Sequence, residues 1–430
     1  MGAGGYVAHQ VPVTVRASLL DGHGPAVAEL LADLRRRGPT DDRMPFAGLP
    51  DVHFARLFVL EETTDLAGDV IPSSLVYMAD VDGSVDRHLR GLVSRAGTGL
   101  DDVFGHCVGY PAGSGDRDRL EWLREHRLRP AAKYVHTVGR TVKRIRDEAR
   151  LRAEVEDLLD RPGTADAATP SGVLSLVRRA VLARPDLSWA GRRPAGPGLA
   201  HRVREAVHLV ALPAAVLLTL PLLLPLAAAW LVAVRWRERT DRPETGPPDP
   251  AHLHEVERYE DFAAQNPFTA VGLIKPGLVR RVTMRVALAG LDWGCRHLFR
   301  RDNLAGVRTI HFARWLPIDD GRRVIFASSY DGSQESYMDD FIDRLHWGVN
   351  LVFSNGLGYP RTRWLVLGGA RDETSYKHYL RRHQVPTVVF YSAYDQLSAR
   401  NVDDNSLVRH GLRRRAAVDD ADAARWLGLL

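Results

Sequence analysis

Lysine is nearly missing from this chain. Lys133, Lys143, Lys275 and Lys377 are the four lysines among 58 basic residues, so arginine carries almost all of the positive charge. The net excess is small, +5, and no basic stripe interleaves with aromatic residues. That pattern excludes the usual footprint of a nucleic-acid surface, and no nucleic-acid partner is expected. Cysteine is scarcer still. Cys107 and Cys295 stand far apart with no C-x-x-C pair, which excludes a disulfide framework and a zinc site built on cysteine, and suits a reducing compartment. The stretch MGAGGYVAHQVPVTV lacks a basic region followed by an apolar one, so no secretory signal is expected; MGAGGY also lacks the Ser/Thr of a myristoylation signal. Walker, G-x-G-x-x-G, G-x-S-x-G and H-E-x-x-H motifs are all absent.

What is present is enough apolar sequence, 45% of 430 residues, for two or three domains with buried cores. Comparing the chain with itself organises it. Val52-His53-Phe54-Ala55-Arg56 recurs as Ile310-His311-Phe312-Ala313-Arg314. The run from Leu75 to Ser84, ending Asp82-Gly83-Ser84, recurs from Val324 to Ser333, ending Asp331-Gly332-Ser333. Gly109-Tyr110-Pro111 recurs as Gly358-Tyr359-Pro360. Three ordered matches with one loop insertion indicate two copies of one unit.

Periodicity gives each copy the order βαββαβ. In the first, strands are expected at 11–19, 52–60, 74–79 and 103–108, with helices at 24–37 and 84–96; an appended helix and strand follow at 116–127 and 133–139. In the second, strands are expected at 268–275, 309–318, 323–328 and 350–354, with helices at 278–299 and 333–345. Asp320-Gly321 marks a tight hairpin. The expected class is α+β: two ferredoxin-like units packing as an intrachain α/β barrel, because a one-sided sheet must cover its open face.

Residues 207–236 form the longest apolar run, charge-free except for Arg235 at its edge. Such length reads as membrane-embedded, with the lipid bilayer as partner. Arg192, Arg193, Arg202 and Arg204 precede it; Arg235, Arg237, Arg239 and Arg242 follow. Equal positive flanks put both ends, and both soluble units, on the cytoplasmic face. With Pro213, Pro221 and Pro225 inside the run, a helical hairpin turning near Pro221–Pro225 is favoured over one spanning helix. Pro/Gly-rich spacers are expected at 161–170, 192–198 and 240–250. A basic amphipathic helix at 171–187 suits either a membrane surface or ordinary docking. The boundaries are 1–150 for the first unit, 151–206 for linker and amphipathic helix, 207–236 for the apolar segment, 237–262 for a linker, 263–412 for the second unit and 413–430 for a tail.

Polar residues that recur in apolar surroundings are the candidates for a binding site. Counting outward from the hairpin turn sets His311 opposite about Tyr330, at the same end as Asp331; His53 and Asp82 follow the same logic. A His beside a carboxylate makes an oriented base or a metal or haem ligand. The competing reading is a turn and helix cap at Asp-Gly-Ser, with Ser84 and Ser333 as N-caps. Arg56 and Arg314, mid-strand, are either structural or anion-binding. Tyr391, Tyr394, Asn401 and Asn405 form a polar run able to line a site, without metal-ligand spacing. No metal site is expected.

With its repeated HFAR, DGS and GYP motifs, the chain resembles uncharacterised bacterial membrane-associated proteins, which brings no assigned activity. At fold level the paired units are similar to the dimeric α/β-barrel superfamily, which includes dye-decolourising peroxidases and chlorite dismutases. That resemblance implies a haem in one barrel, for which His106 is the candidate ligand. Of the peroxidases' G-x-x-D-G motif the chain keeps Asp82-Gly83 and Asp331-Gly332 alone. Three functions are therefore expected in order: a membrane-anchored barrel binding an apolar or amphiphilic small molecule, a haem-dependent peroxidase-like oxidoreductase, and a ligand-free scaffold.

Overall fold

The computed structural model describes residues 9–161, 169–194, 196, 198–299, 304–413 and 418–430. MGAGGY, most of the 161–170 spacer, parts of the 192–198 spacer and of the 413–430 tail, and Arg300 and Arg301 lie outside the described residues.

The chain begins β1 (Gln10–Ser18), α1 (Gly24–Arg37) and β2 (Val52–Leu60), then two-residue strands β3 (Thr63–Thr64) and β4 (Val70–Ile71). Next come β5 (Ser74–Asp82), α2 (Val85–Ala96), α3 (Gly99–Phe104), α4 (Asp116–Glu125), β6 (Ala132–Val135) and α5 (Val142–Leu159). α6 (Pro170–Ala183), α7 (Leu199–Thr240) and α8 (Pro250–Glu257) occupy the middle. The remainder runs β7 (Gln265–Leu273), α9 (Leu278–His297), β8 (Ile310–Ile318), β9 (Arg323–Asp331) and α10 (Gln334–Phe353). It closes with β10 (Thr362–Arg363), β11 (Leu367–Gly368), α11 (Glu373–His383), β12 (Val389–Ser392), α12 (Ala399–Arg413) and α13 (Asp420–Leu427).

The class is α+β, with two open antiparallel sheets of order β1-β5-β2-β12 and β6-β8-β9-β7. Each sheet is completed from the other part of the chain. β12 adds to β2, pairing Val389 with Leu57, and β6 adds to β8, pairing Ala132 with Trp315. One face of each sheet carries helices: Val27, Leu31 and Leu92 pack under the first, Met284, Tyr337 and Phe341 under the second. The opposite faces meet, Phe58, Leu60, Val76 and Met78 against Leu316, Ile318, Ile325 and Ala327. Central strands are therefore covered on both sides, and every residue of β5 is buried.

The structure corrects several expectations. The closing strands at 103–108 and 350–354 do not form. Leu100, Val103 and Phe104 recur at helical spacing in α3, and α10 runs on to Phe353 because Phe341, Leu345, Val349 and Val352 keep one buried helical face. Among the described residues only isolated bridges mark the free edges of β1 and β7: Val15 to Arg127 and Leu19 to Cys107 on the first, Ala270 to Gln384 and Ile274 to Gly356 on the second. The strand expected at 133–139 shortens to β6. The amphipathic helix is the docking helix α6, whose Leu174, Val177 and Val181 pack with Leu151, Val408 and Trp426.

The hairpin near Pro221–Pro225 is also replaced. α7 is one helix of 42 residues containing all three prolines, about 63 Å long at ~1.5 Å per residue. Each proline forfeits one donor, while a turn in so apolar a run would strand several polar groups. Among the described residues α7 is the one helix long and apolar enough to cross a membrane. Residues 215–229 are exposed on every side of it. Both of its ends are fastened to the same body. Near its start, Glu205 meets Arg296 at 3.5 Å and His208 Nδ1 meets His297 Nε2 at 2.8 Å. Further on, Trp230 donates to Thr283 Oγ1 at 3.1 Å. Buried Glu238 accepts from Thr362 Oγ1, Trp364 N and Leu365 N at 3.0, 2.9 and 2.8 Å.

Candidate functional site

Two polar clusters compete for the role of site. The first contains most of the recurring residues. β2 and β8 each carry a bulge at the same motif position, between Val52 and Phe54 and between Ile310 and Phe312. Ile310, rather than His311, pairs with Tyr330. A bulge adds an unpaired residue and re-aims its side chain, here His53 and His311, both fully buried. His53 Nε2 meets Asp82 Oδ1 at 3.1 Å and its Nδ1 meets the Tyr394 hydroxyl at 2.8 Å. His311 Nε2 meets Asp331 Oδ1 at 2.7 Å.

Each aspartate also holds a helix start. Asp82 accepts from Val142 N of α5 at 2.9 Å and from Gln10 Nε2 at 3.0 Å. Asp331 accepts from Ala399 N of α12 at 2.7 Å. The two histidines approach through a shared aromatic seam. The Tyr394 ring lies 5.7 Å from His53 and 6.1 Å from His311, and Phe54 lies 5.2 Å from His311. A third pair, missed in the sequence, joins them. His136 Nε2 meets Asp403 Oδ2 at 2.9 Å, Arg140 also binds Asp403, and the His136 ring is 6.4 Å from His311. Burial would raise the Asp403 carboxyl, but His136 and Arg140 hold it down at about 2.

Arg56 and Arg314 staple the two sheets. Arg56 donates to Phe268 O (3.0 Å), Thr269 Oγ1 (3.1 Å), Ser328 O (2.8 Å) and Ser329 Oγ (2.7 Å). Arg314 donates to Val13 O (2.7 Å), Thr14 Oγ1 (3.2 Å), Ala79 O (3.0 Å) and Asp80. Burial, with Arg314 opposite, lowers Arg56 to about 9, still charged at neutral pH. These guanidiniums spend their donors on carbonyls and side chains of the facing sheet.

The other expected residues scatter. Tyr391 stacks on Phe46 with centroids 5.7 Å apart. Exposed Asn401 accepts from Ser398 N and Oγ at the start of α12, and Asn405 is buried within that helix. His106 Nδ1 faces His23 Nδ1 at 2.9 Å. Haem finds no ligand at His53 or His311: both ring nitrogens of His53 are engaged, and the unpartnered Nδ1 of His311 belongs to a ring packed by Phe54 and Tyr394. Among the described residues no group of three or more His, Cys, Asp and Glu is arranged for a metal ion.

The second cluster lines a cavity of about 740 Å³ where α7 begins. Its walls come from His9 to Pro12, from Arg127, Arg129 and Lys133 before and on β6, from His201 to Leu209 on α7, and from Asp292 to His297 on α9. Both lining carboxylates, Glu205 and Asp292, are engaged by Arg296, at 3.5 and 2.8 Å. Burial, reinforced by the Arg296 charge, presses Lys133 down to about 8. The cavity is concave, cationic and continuous with the exposed apolar part of α7 through Ala206 and Leu209. Among the candidates it alone combines space with unspent polar groups. Comparison with family models, with curated proteins and with solved structures gives no match.

Proposed function

We propose that this chain is a membrane-anchored protein that binds an amphiphilic small molecule. The carrying observation is that the cavity beside the first turns of α7 passes directly onto a helix whose residues 215–229 no protein covers. A polar head enters the cavity while its apolar part follows α7 into lipid. This moves the site from the barrel interior to the base of the anchor, because the seam between the sheets is filled by side chains that bind one another.

In this reading the body consists of two ferredoxin-like units closed into an intrachain α/β barrel. Support comes from the shared order β1-β5-β2 and β7-β9-β8, the matching bulges, and the paired arginine staples. The body lies on one side of the bilayer, since both ends of α7 are fastened to it. The positive flanks make that side cytoplasmic. α7 then lies lengthwise in one face of the bilayer, its uncovered middle immersed, without delivering either part of the chain across. Reporter fusions at residue 160 and at the C-terminus test the topology: both are expected in the cytoplasm, and opposite locations refute it. Mass spectrometry of lipid extracted from detergent-purified full-length protein tests the ligand. A stoichiometric amphiphile is expected, and its absence together with no uptake of added amphiphile refutes the reading.

A further inference from the structure

Resting on that reading, we infer that the cavity selects an anionic head group of the phosphate type, held by Arg127, Arg129, Lys133 and Arg202. Three observations carry this. First, charge in the cavity is uncompensated. Glu205 and Asp292 both serve Arg296, while among the described residues Arg127, Arg129 and Arg202 make no salt bridge, Asp86 acts on Arg127 only at longer range, and the buried Nε of Arg127 has no acceptor. Exposed arginines on a convex surface are simply hydrated. In a concavity with low-dielectric walls the same charges focus their field on the enclosed volume and concentrate anions there.

Second, the donors suit an oxyanion. Guanidinium forks match phosphate and carboxylate oxygens in pairs, and Lys133 adds a point charge from β6 beside its contact to Gln10 O at 3.3 Å. Third, α7 starts at Leu199 with no side-chain cap on its first turn, so the positive end of a 42-residue helix adds to the cavity's field. The apolar lining, Val11, Val135 and Leu209 among it, lies beside these donors and suits the chain attached to such a head.

The test uses full-length protein in non-ionic detergent and calorimetric titration with three probes: dodecyl phosphate, dodecylphosphocholine and glycerol phosphate. Dodecyl phosphate is expected to bind at least about tenfold more tightly than dodecylphosphocholine, and glycerol phosphate weakly. Arg127→Gln/Arg129→Gln/Arg202→Gln should abolish that preference with an unchanged melting temperature. The single exposed variant Arg202→Gln should weaken it in a protein whose folding is not in question. A control removing three surface charges elsewhere, Arg36→Gln/Arg90→Gln/Arg400→Gln, should keep it. Equal, variant-sensitive binding of dodecyl phosphate and glycerol phosphate supports the oxyanion site with a free phosphate as its source, and counts against the amphiphile. Equal binding of the two dodecyl probes, unaffected by the triple variant, overturns the head-group inference and leaves amphiphile binding standing. Binding of none of the three overturns both.

Discussion

The histidine–aspartate seam and the basic cavity are made of similar residues and end in opposite states. In the seam, His53, His136 and His311 each have an aspartate, and Asp82 and Asp331 each also take a helix-start N–H. In the cavity, arginines from α7 and from the stretch before β6 face a shared volume with both local acids already spent. Polarity in an apolar chain therefore does two jobs here, and satisfaction of hydrogen bonds separates them. Groups that bind one another hold the sheets and helices α5 and α12 together; groups left facing space are available to a ligand.

The contrast breaks most sharply at the arginine staples. Asp80→Ala leaves Arg314 buried beside backbone carbonyls without its carboxylate, and should cost about 3–5 kcal/mol in denaturant unfolding. Amphiphile binding by the remaining folded protein should be unchanged; a parallel loss of binding at full folding would join the two clusters. Asp331→Ala uncaps α12 and strips His311 of its partner, a loss of about 1–3 kcal/mol in the same measurement.

Acid provides a milder probe. The folded-state pKa of Asp403, about 2, lies below the ordinary value near 3.8. Its contribution is thus complete above the unfolded pKa and disappears as pH falls through the folded one. With screening, roughly 1 kcal/mol should be lost between about pH 5 and 2, and Asp403→Asn should flatten that part of the stability profile. The caps come next. Ser84 Oγ accepts from Arg87 N at 3.3 Å and Ser333 Oγ from Ser336 N at 3.2 Å, so Ser333→Ala should cost about 0.5–1 kcal/mol by thermal melting. Least affected is the cavity: Arg127→Gln/Arg129→Gln should shift stability by no more than about 0.5 kcal/mol, because among the described residues neither guanidinium has a hydrogen bond or salt bridge to lose. A larger shift would place these arginines in the scaffold.

Much of this architecture was legible where signals are local. The repeated motifs locate β2 and β8, the Asp320-Gly321 turn locates the β8–β9 hairpin, and the Ser after Asp82-Gly83 and Asp331-Gly332 caps α2 and α10. Counting pairs from the turn set His311 at the same end as Asp331, where the two meet at 2.7 Å, but missed the bulge that gives Tyr330 to Ile310, because a bulge inserts a residue without changing the sequence pattern. The closing strands were misread because Val103–Phe104 and Val352–Phe353 suit either structure, and the burial face of the preceding helix decides between them. The exchange of β6 and β12 rests on pairings more than 175 residues apart, beyond the reach of any periodicity. The cavity was invisible for the same reason. Arg127, Lys133, Arg202 and Arg296 read one at a time as surface or flanking charge, and only the fold brings them around one volume.

The exchanged strands have a consequence for how the protein is made. The first sheet lacks its outer strand until Val389–Ser392 has left the ribosome, and β6 waits with nothing to pair until β8 follows some 175 residues behind it. Between these events α7 emerges, so on the proposed anchoring the nascent chain reaches the membrane with its first half still open along one edge. Docking of the two halves is then a late step, made at the bilayer, where tethering confines the search that long-range pairing otherwise slows.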